Sequence, residues 1–248
     1  MIPKVIHYCW FGPHELPTSV LKCTDSWKLH LPEYKIKKWT IDNTAKFHNR
    51  YFKQAIDRKM WAFASDYIRF CILSEYGGIY MDTDMLFLKP FRDDMINNSL
   101  FLGKESDDAI SFGIIGSVPE HEAIIGMKEY YDTLEFDYLN PPIIPKIFTP
   151  LLLRLKIDKP NRIKLYPIDV FYPLPADRKD EDYQDYITEN TIAIHLWDFS
   201  WANLYYPKKL RNTIIQLTSD LLKRKYSFKF IVLTIIRLTK RKINSKRR

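Results

Sequence analysis

The sequence predicts a single α/β domain, on three observations. A β-branched run at residues 4–8 leads into the turn Phe11-Gly12-Pro13, the usual opening of a nucleotide-binding α/β unit. Helical and strand patterns then alternate along the first half of the chain. At residues 61–90 a helix apolar on almost every side is joined through Gly77-Gly78 to two short apolar strands. With 248 residues, 46% of them hydrophobic and 15% aromatic, the chain is long and apolar enough for one sizeable core, and its composition argues against disorder.

In chain order, residues 2–10 read as the first strand. Residues 19–31 read as a helix carrying Val20, Leu21, Cys23 and Trp27 at helical spacing, and residues 34–40 as a second strand. Asp42 and Asn43 follow it as helix caps first and nucleotide contacts second. Residues 46–59 are polar-amphipathic. Residues 61–75 hold no Pro or Gly, and Gly77-Gly78 supplies a helix stop. Ile79-Tyr80-Met81 and Met85-Leu86-Phe87-Leu88 are strands, residues 91–98 a short surface segment, 101–104 an edge strand and 109–116 another strand. A helix starting around Pro119 and His121 extends to about residue 134. Eight of the 15 prolines fall between Pro141 and Pro175, which argues for loops and short turns across 135–190. Residues 191–194 form a final strand ending at His195.

Two features of the central stretch are costly unless they serve a function. Asp66 and Arg69, three apart, share one side of a helix that otherwise reads as buried. Desolvation offsets most of what such a buried pair gains. Asp82 and Asp84 close an apolar strand, where two like charges repel unless a cation lies between them; Mg²⁺ and Mn²⁺ take such carboxylates together with substrate phosphates. By themselves, two acids in a turn are usually solvated and a helix pair of opposite charge is usually structural. An EF-hand is excluded, because residues 85–88 are apolar where its loop needs oxygen ligands.

The strings A-S-D-Y-I-R, Y-G-G-I-Y and D-T-D together resemble the DxD-containing glycosyltransferase family 32, which includes capsular-polysaccharide transferases and initiating α-1,6-mannosyltransferases. More distantly they are similar to the glucosyltransferase domains of clostridial toxins. The opening I-P-K-V-I-H-Y-C-W-F-G and the later H-x-W-x-x-S-W element extend the resemblance over roughly residues 1–207. It implies a GT-A fold, that is, a Rossmann-like mixed sheet flanked by helices in one domain. It also implies a nucleotide-sugar donor, a divalent metal, Mn²⁺ or Mg²⁺, and transfer to a glycan or lipid-linked glycan with retention of configuration.

Residue by residue, the resemblance puts Trp10 on the nucleotide base with Phe11 and Gly12 closing on it. Asp66 and Arg69 would grip the donor sugar, Asp84 and Asp82 the metal, with Asp82 alternatively on the ribose. His195 would complete the metal's ligands or contact the diphosphate, and Ser200 and Trp201 would close over the phosphates. The segment from Gly116 to His121 would lie beside the acceptor, and Ser111 is a weaker sugar contact. The Trp10 opening resembles UDP-using relatives, which favours UDP over the GDP of the mannosyl relatives.

The three cysteines form no CxxC and cannot all pair, which favours a reduced, cytoplasmic setting. No signal peptide or membrane-spanning helix is expected. Residues 208–248 form a basic amphipathic extension that carries more positive charge than the whole chain's net +8, and suits the anionic face of a membrane, for a protein peripheral on its cytoplasmic side. No nucleic-acid-binding motif accompanies that charge. A phosphatase with an Asp nucleophile and a non-catalytic binding module are the rival readings. The phosphatase motif expects Thr or Val at position 86 and should open its fold, and an intact DxD with Asp66 and Arg69 argues against the module.

Overall fold

The structure is a computed structural model and describes residues 1–12, 14–138, 140–154, 163–198, 226–227, 229–234 and 236. In chain order its elements are β1 (Val5–Cys9), α1 (Thr18–His30), β2 (Lys35–Trp39), α2 (Arg50–Asp57), α3 (Trp61–Tyr76), β3 (Gly78–Met81), β4 (Met85–Phe87) and α4 (Asp93–Ile96). They continue with β5 (Leu100–Ser106), β6 (Ala109–Ser117), α5 (Glu122–Asp132), α6 (Ile144–Arg154), β7 (Lys164–Tyr166), α7 (Ile168–Phe171) and β8 (Ala193–His195). A six-stranded sheet runs in the order β2-β1-β3-β6-β5-β7, and a two-stranded ribbon pairs β4 with β8. β2, β1 and β3 are parallel; β6 is antiparallel to both β3 and β5; β7 lies parallel to β5. The expected mixed α/β sheet flanked by helices is what forms.

Strand alternation divides the core in two. Tyr80, Leu100 and Leu102 face one side and pack under α2, α3, α5 and α6. Ile79, Met81 and Phe101 face the other and pack with α1, α7 and the β4–β8 ribbon. Helix α3 is apolar all round because it lies between the sheet and the outer helices, with Ile68, Phe70, Ile72 and Leu73 fully buried. Each such side chain contributes about 1.5–3 kcal/mol of burial.

The join between α3 and β3 has no slack. Gly77 and Gly78 have φ of 60° and 95°. A Cβ on Gly78 would lie 2.7 Å from the Val5 carbonyl oxygen, so only glycine fits there. Beneath it His7 Nε2 donates to the Gly77 carbonyl at 3.0 Å, and the Trp39 indole donates to His7 Nδ1 at 3.1 Å. The indole can only donate, which fixes the histidine tautomer. Burial lowers the His7 pKa from 6.5 to about 4.

Three expectations are corrected. β5 is not an edge strand: β7 pairs with it from a segment whose proline content suggested loops only. α6 forms within that segment with Pro150 inside it, held by burial of Phe148 and Leu152 and by the Thr149 hydroxyl, which accepts from the Ile110 amide. Within residues 91–98, a short helix buries Met95 and Ile96 rather than lying on the surface. His121 caps α5 by accepting from the Ala123 amide.

All three cysteines are buried and unpaired. Among the described residues no helix is long and apolar enough to cross a membrane. Most of the 208–248 extension lies outside the described residues. Of it, Tyr226 stacks on Phe230, and the Ser227 amide donates to Glu135.

Candidate active site

A cavity of about 520 Å³ opens at the ends of β1 and β3, at the carboxyl edge where open α/β sheets take ligands. Trp10, Phe11 and Gly12 follow β1 and line one side. Trp10 is tied by its indole N–H to the His14 carbonyl at 2.8 Å, and Phe11 packs edge-on against Phe52. Asp42 and Asn43 do not line the cavity. Asn43 instead accepts from the Thr40 amide.

At the cavity's centre Arg69 clamps two carboxylates. Its Nη2 lies 2.7 Å from Asp66 Oδ1 and 3.3 Å from Asp82 Oδ1, and its Nη1 donates to the Phe112 carbonyl at 2.7 Å. The guanidinium also lies over the Tyr80 ring, whose hydroxyl donates to Asp82. Burial opposes the charge on Arg69, but the acids around it, Asp82 foremost, hold it cationic. Burial pushes the Asp66 carboxyl up to about 7 against the pull of Arg69. The sheet makes room for this clamp. Leu102 pairs with Ile115 but the next residue, Gly103, pairs with Ser111, so residues 112–114 bulge out of register with β5. The carbonyls of Phe112 and Gly113 then serve Arg69 and the Asp82 amide, and the Ile114 amide donates to the Tyr172 hydroxyl. Bulges commonly re-aim groups beside active sites in this way.

Pairing of β4 with β8 sets Met85 against His195, which puts the histidine beside the acids that end β3. His195 Nε2 lies 3.0 Å from Asp84 Oδ1, and Asp84 Oδ2 accepts from the Asp198 amide at 2.8 Å. Between them Trp197 has a φ of 55°, an uncommon backbone for so bulky a residue. Its indole donates to the Leu174 carbonyl and it packs edge-on against His195. Strain of this kind concentrates at functional sites; here the left-handed turn brings the Asp198 amide to Asp84.

Burial raises the Asp82 carboxyl, opposed by Arg69 and helped by the charge of Asp84. Burial also opposes ionisation of Asp84, but His195 and the Asp198 amide outweigh it and hold the carboxyl low. On His195 burial works against the proton, and Asp84 beside it prevails, so its pKa is raised.

One donor atom from each of Asp82, Asp84 and His195 lies within 4.8 Å of the other two. Ligands of one octahedral Mg²⁺ or Mn²⁺ shell sit roughly 3–4 Å apart, given metal–oxygen distances of about 2.1 Å, so small side-chain movements bring the three onto one ion. Among the described residues, nothing hydrogen-bonds the buried His195 Nδ1. A Cβ on Gly113 would come within 3.1 Å of Asp82 Oδ2 and 3.6 Å of His195 Nε2, so the missing side chain keeps that space open. Two carboxylates and an imidazole suit such a cation.

Residues 17–102 match the family model described as a glycosyltransferase sugar-binding region containing a DXD motif. In Saccharomyces cerevisiae the mannosyl phosphorylinositol ceramide synthase SUR1 is 32% identical over 141 residues, 52% of this chain and 36% of that protein. The lactosylceramide 4-alpha-galactosyltransferase of Rattus norvegicus is 26% identical over 169 residues, 62% of this chain and 43% of that protein. This chain therefore spans less than half the length of either relative. Among solved structures it is similar to the PaToxG glycosyltransferase at a TM-score of 0.49 and 17% identity, covering 62% of this chain and 69% of that one.

Of the site residues read from sequence, Trp10, Phe11, Gly12, Asp66, Arg69, Asp82, Asp84 and His195 all line the one cavity, as does Ser111. Ser200 and Trp201 lie outside the described residues. Sequence reasoning missed Glu105, Gly113, Trp197 and Asp198. Trp197 and Asp198 stand next to His195 in the recognised string, which was a usable signal; Glu105 and Gly113 depend on strand register and had none.

Proposed function

We propose that this chain is a metal-dependent retaining glycosyltransferase that moves a sugar from a nucleotide-sugar, UDP-linked before GDP-linked, to a glycan or lipid-linked glycan. One observation carries the reading: the Asp66–Arg69 pair and the Asp82–Asp84–His195 ligand group share a single cavity beside Trp10. Asp82, Asp84 and His195 would hold Mn²⁺ or Mg²⁺, which supplies Lewis-acid neutralisation of a leaving diphosphate. Trp10 and Phe11 offer the aromatic wall for the base. Arg69 spends its donors on Asp66, Asp82 and the Phe112 carbonyl. It therefore works by locking two carboxylates, leaving Asp66 to accept from the donor sugar's hydroxyls. The preset clamp spares the reorganisation that a mobile pair would need.

Ceramide-linked acceptors in the names of two relatives support a lipid-linked acceptor here. Together with the basic extension, they favour work at the cytoplasmic face of a membrane, in surface-polysaccharide synthesis. The test is calorimetric binding of UDP and GDP with and without Mn²⁺, in wild type and Asp84→Asn. Mn²⁺-dependent binding of one nucleotide, lost in the variant, is expected. Failure of the wild type to bind either nucleotide with Mn²⁺ present sinks the reading.

A further inference from the structure

Two carboxylates in the cavity wall, Glu105 and Asp198, are used by neither the Arg69 clamp nor the three-ligand group, and of these Asp198 is exposed whereas Glu105 is half-buried. Its place is structural. Lys104 pairs with Ile110 and Ser106 with Ala109, so Glu105 has no partner across the ladder and sits in a second slip of register between β5 and β6. It is half-buried and feels the Ser111 hydroxyl, as does Tyr172. Among the described residues no Lys or Arg forms an ion pair with it. With the charge of His195 in reach but no ion pair formed, a half-buried carboxylate forfeits solvation, which polar hydrogens from a ligand would restore.

Sheet order tells which part of a ligand reaches it. Across the sheet run β1, β3, β6 and β5. The aromatic wall follows β1, the acids follow β3, Ser111 lies on β6 and Glu105 on β5. From β3 to β5 is two strand spacings, roughly 10 Å, which is room for one sugar ring beyond a metal-held diphosphate. Glu105 therefore stands on the side of the acids opposite the base wall, where the acceptor must enter.

We propose that Glu105, with the Ser111 hydroxyl beside it, is the acceptor-binding subsite and takes two hydroxyl hydrogens of an incoming sugar. The inference rests on the transferase reading above. The test uses the full chain, Mn²⁺, and UDP-glucose, UDP-galactose and GDP-mannose as donors. Methyl α- and β-glycosides of glucose, galactose and mannose serve as acceptor probes, and transfer is measured against donor hydrolysis. In Glu105→Gln the ratio of transfer to hydrolysis is expected to fall about tenfold, the loss of one charged hydrogen bond, with a raised KM for the glycoside. UDP–Mn²⁺ affinity is expected to stay within about twofold. Glu105→Asp, which keeps the charge, is expected to recover part of the transfer, a rescue that a merely structural role would not show. An unchanged ratio overturns the proposal, as does nucleotide affinity falling in step with transfer. A wild type that engages none of the glycosides at high millimolar concentration also overturns it. A wild type that binds no nucleotide with Mn²⁺ overturns the transferase reading instead.

Discussion

Strand β3 begins and ends at a buried polar cluster, and the two are built on opposite terms. At its start, His7, Trp39 and the Gly77 carbonyl are neutral, and each hydrogen bond closes on another. At its end, Asp66, Arg69, Asp82, Asp84 and His195 bring charges together, one histidine nitrogen has no partner among the described residues, and a tryptophan backbone is left-handed. A satisfied neutral cluster contributes to the fold by itself. A charged, incompletely satisfied one costs stability until something binds. The same four-residue strand thus separates what holds the protein together from what it is for.

The largest test of this contrast is Arg69→Met. It leaves two acids buried against each other, and a loss of about 3–5 kcal/mol in chemical denaturation is expected. Adding Asp66→Asn should return part of that loss. If the single variant is as stable as wild type, the clamp does not balance the acids.

Next in size is the response of the neutral cluster to acid. Because folding lowers the His7 pKa from 6.5 to about 4, protons bind the unfolded chain first. His7's contribution is whole above pH 6.5 and is lost as pH falls towards 4, for a total of about 3 kcal/mol. Unfolding curves at several pH values for wild type and His7→Gln should diverge in that window; parallel curves would mean that His7 is not held neutral.

The smallest effect is expected from Trp197→Phe. It leaves the Leu174 carbonyl without its indole donor and is expected to cost about 1 kcal/mol. It should also weaken Mn²⁺ binding a few-fold, since the turn at 197 sets the Asp198 amide on Asp84. Weaker stability with unchanged Mn²⁺ affinity would make Trp197 part of the fold and not of the site.

Local chemistry was legible before any coordinates. A Pro- and Gly-free apolar run specifies α3, Gly77-Gly78 ends it because only glycine tolerates that backbone, and Asp82 and Asp84 either side of Thr83 mark a candidate cation site. His195 was singled out by its string, yet its distance to Asp84 comes from β4 pairing with β8 across more than a hundred residues. The Pro-rich segment misled for a related reason. Pro150 disfavours a helix locally, but burial of Phe148 and Leu152 against the sheet outweighs the lost hydrogen bond.

By itself, then, the sequence determined the alternation of elements, the buried central helix and the identity of the charged residues, because each rests on the spacing and chemistry of near neighbours. Only the tertiary structure decided the β5–β6 register that frees the carbonyl of Phe112 and re-aims Glu105, and the order of strands that lines up the aromatic wall, the acids and Glu105 across one edge. Register and strand order are settled by the fit of distant surfaces in the core, and no local window of sequence contains that fit.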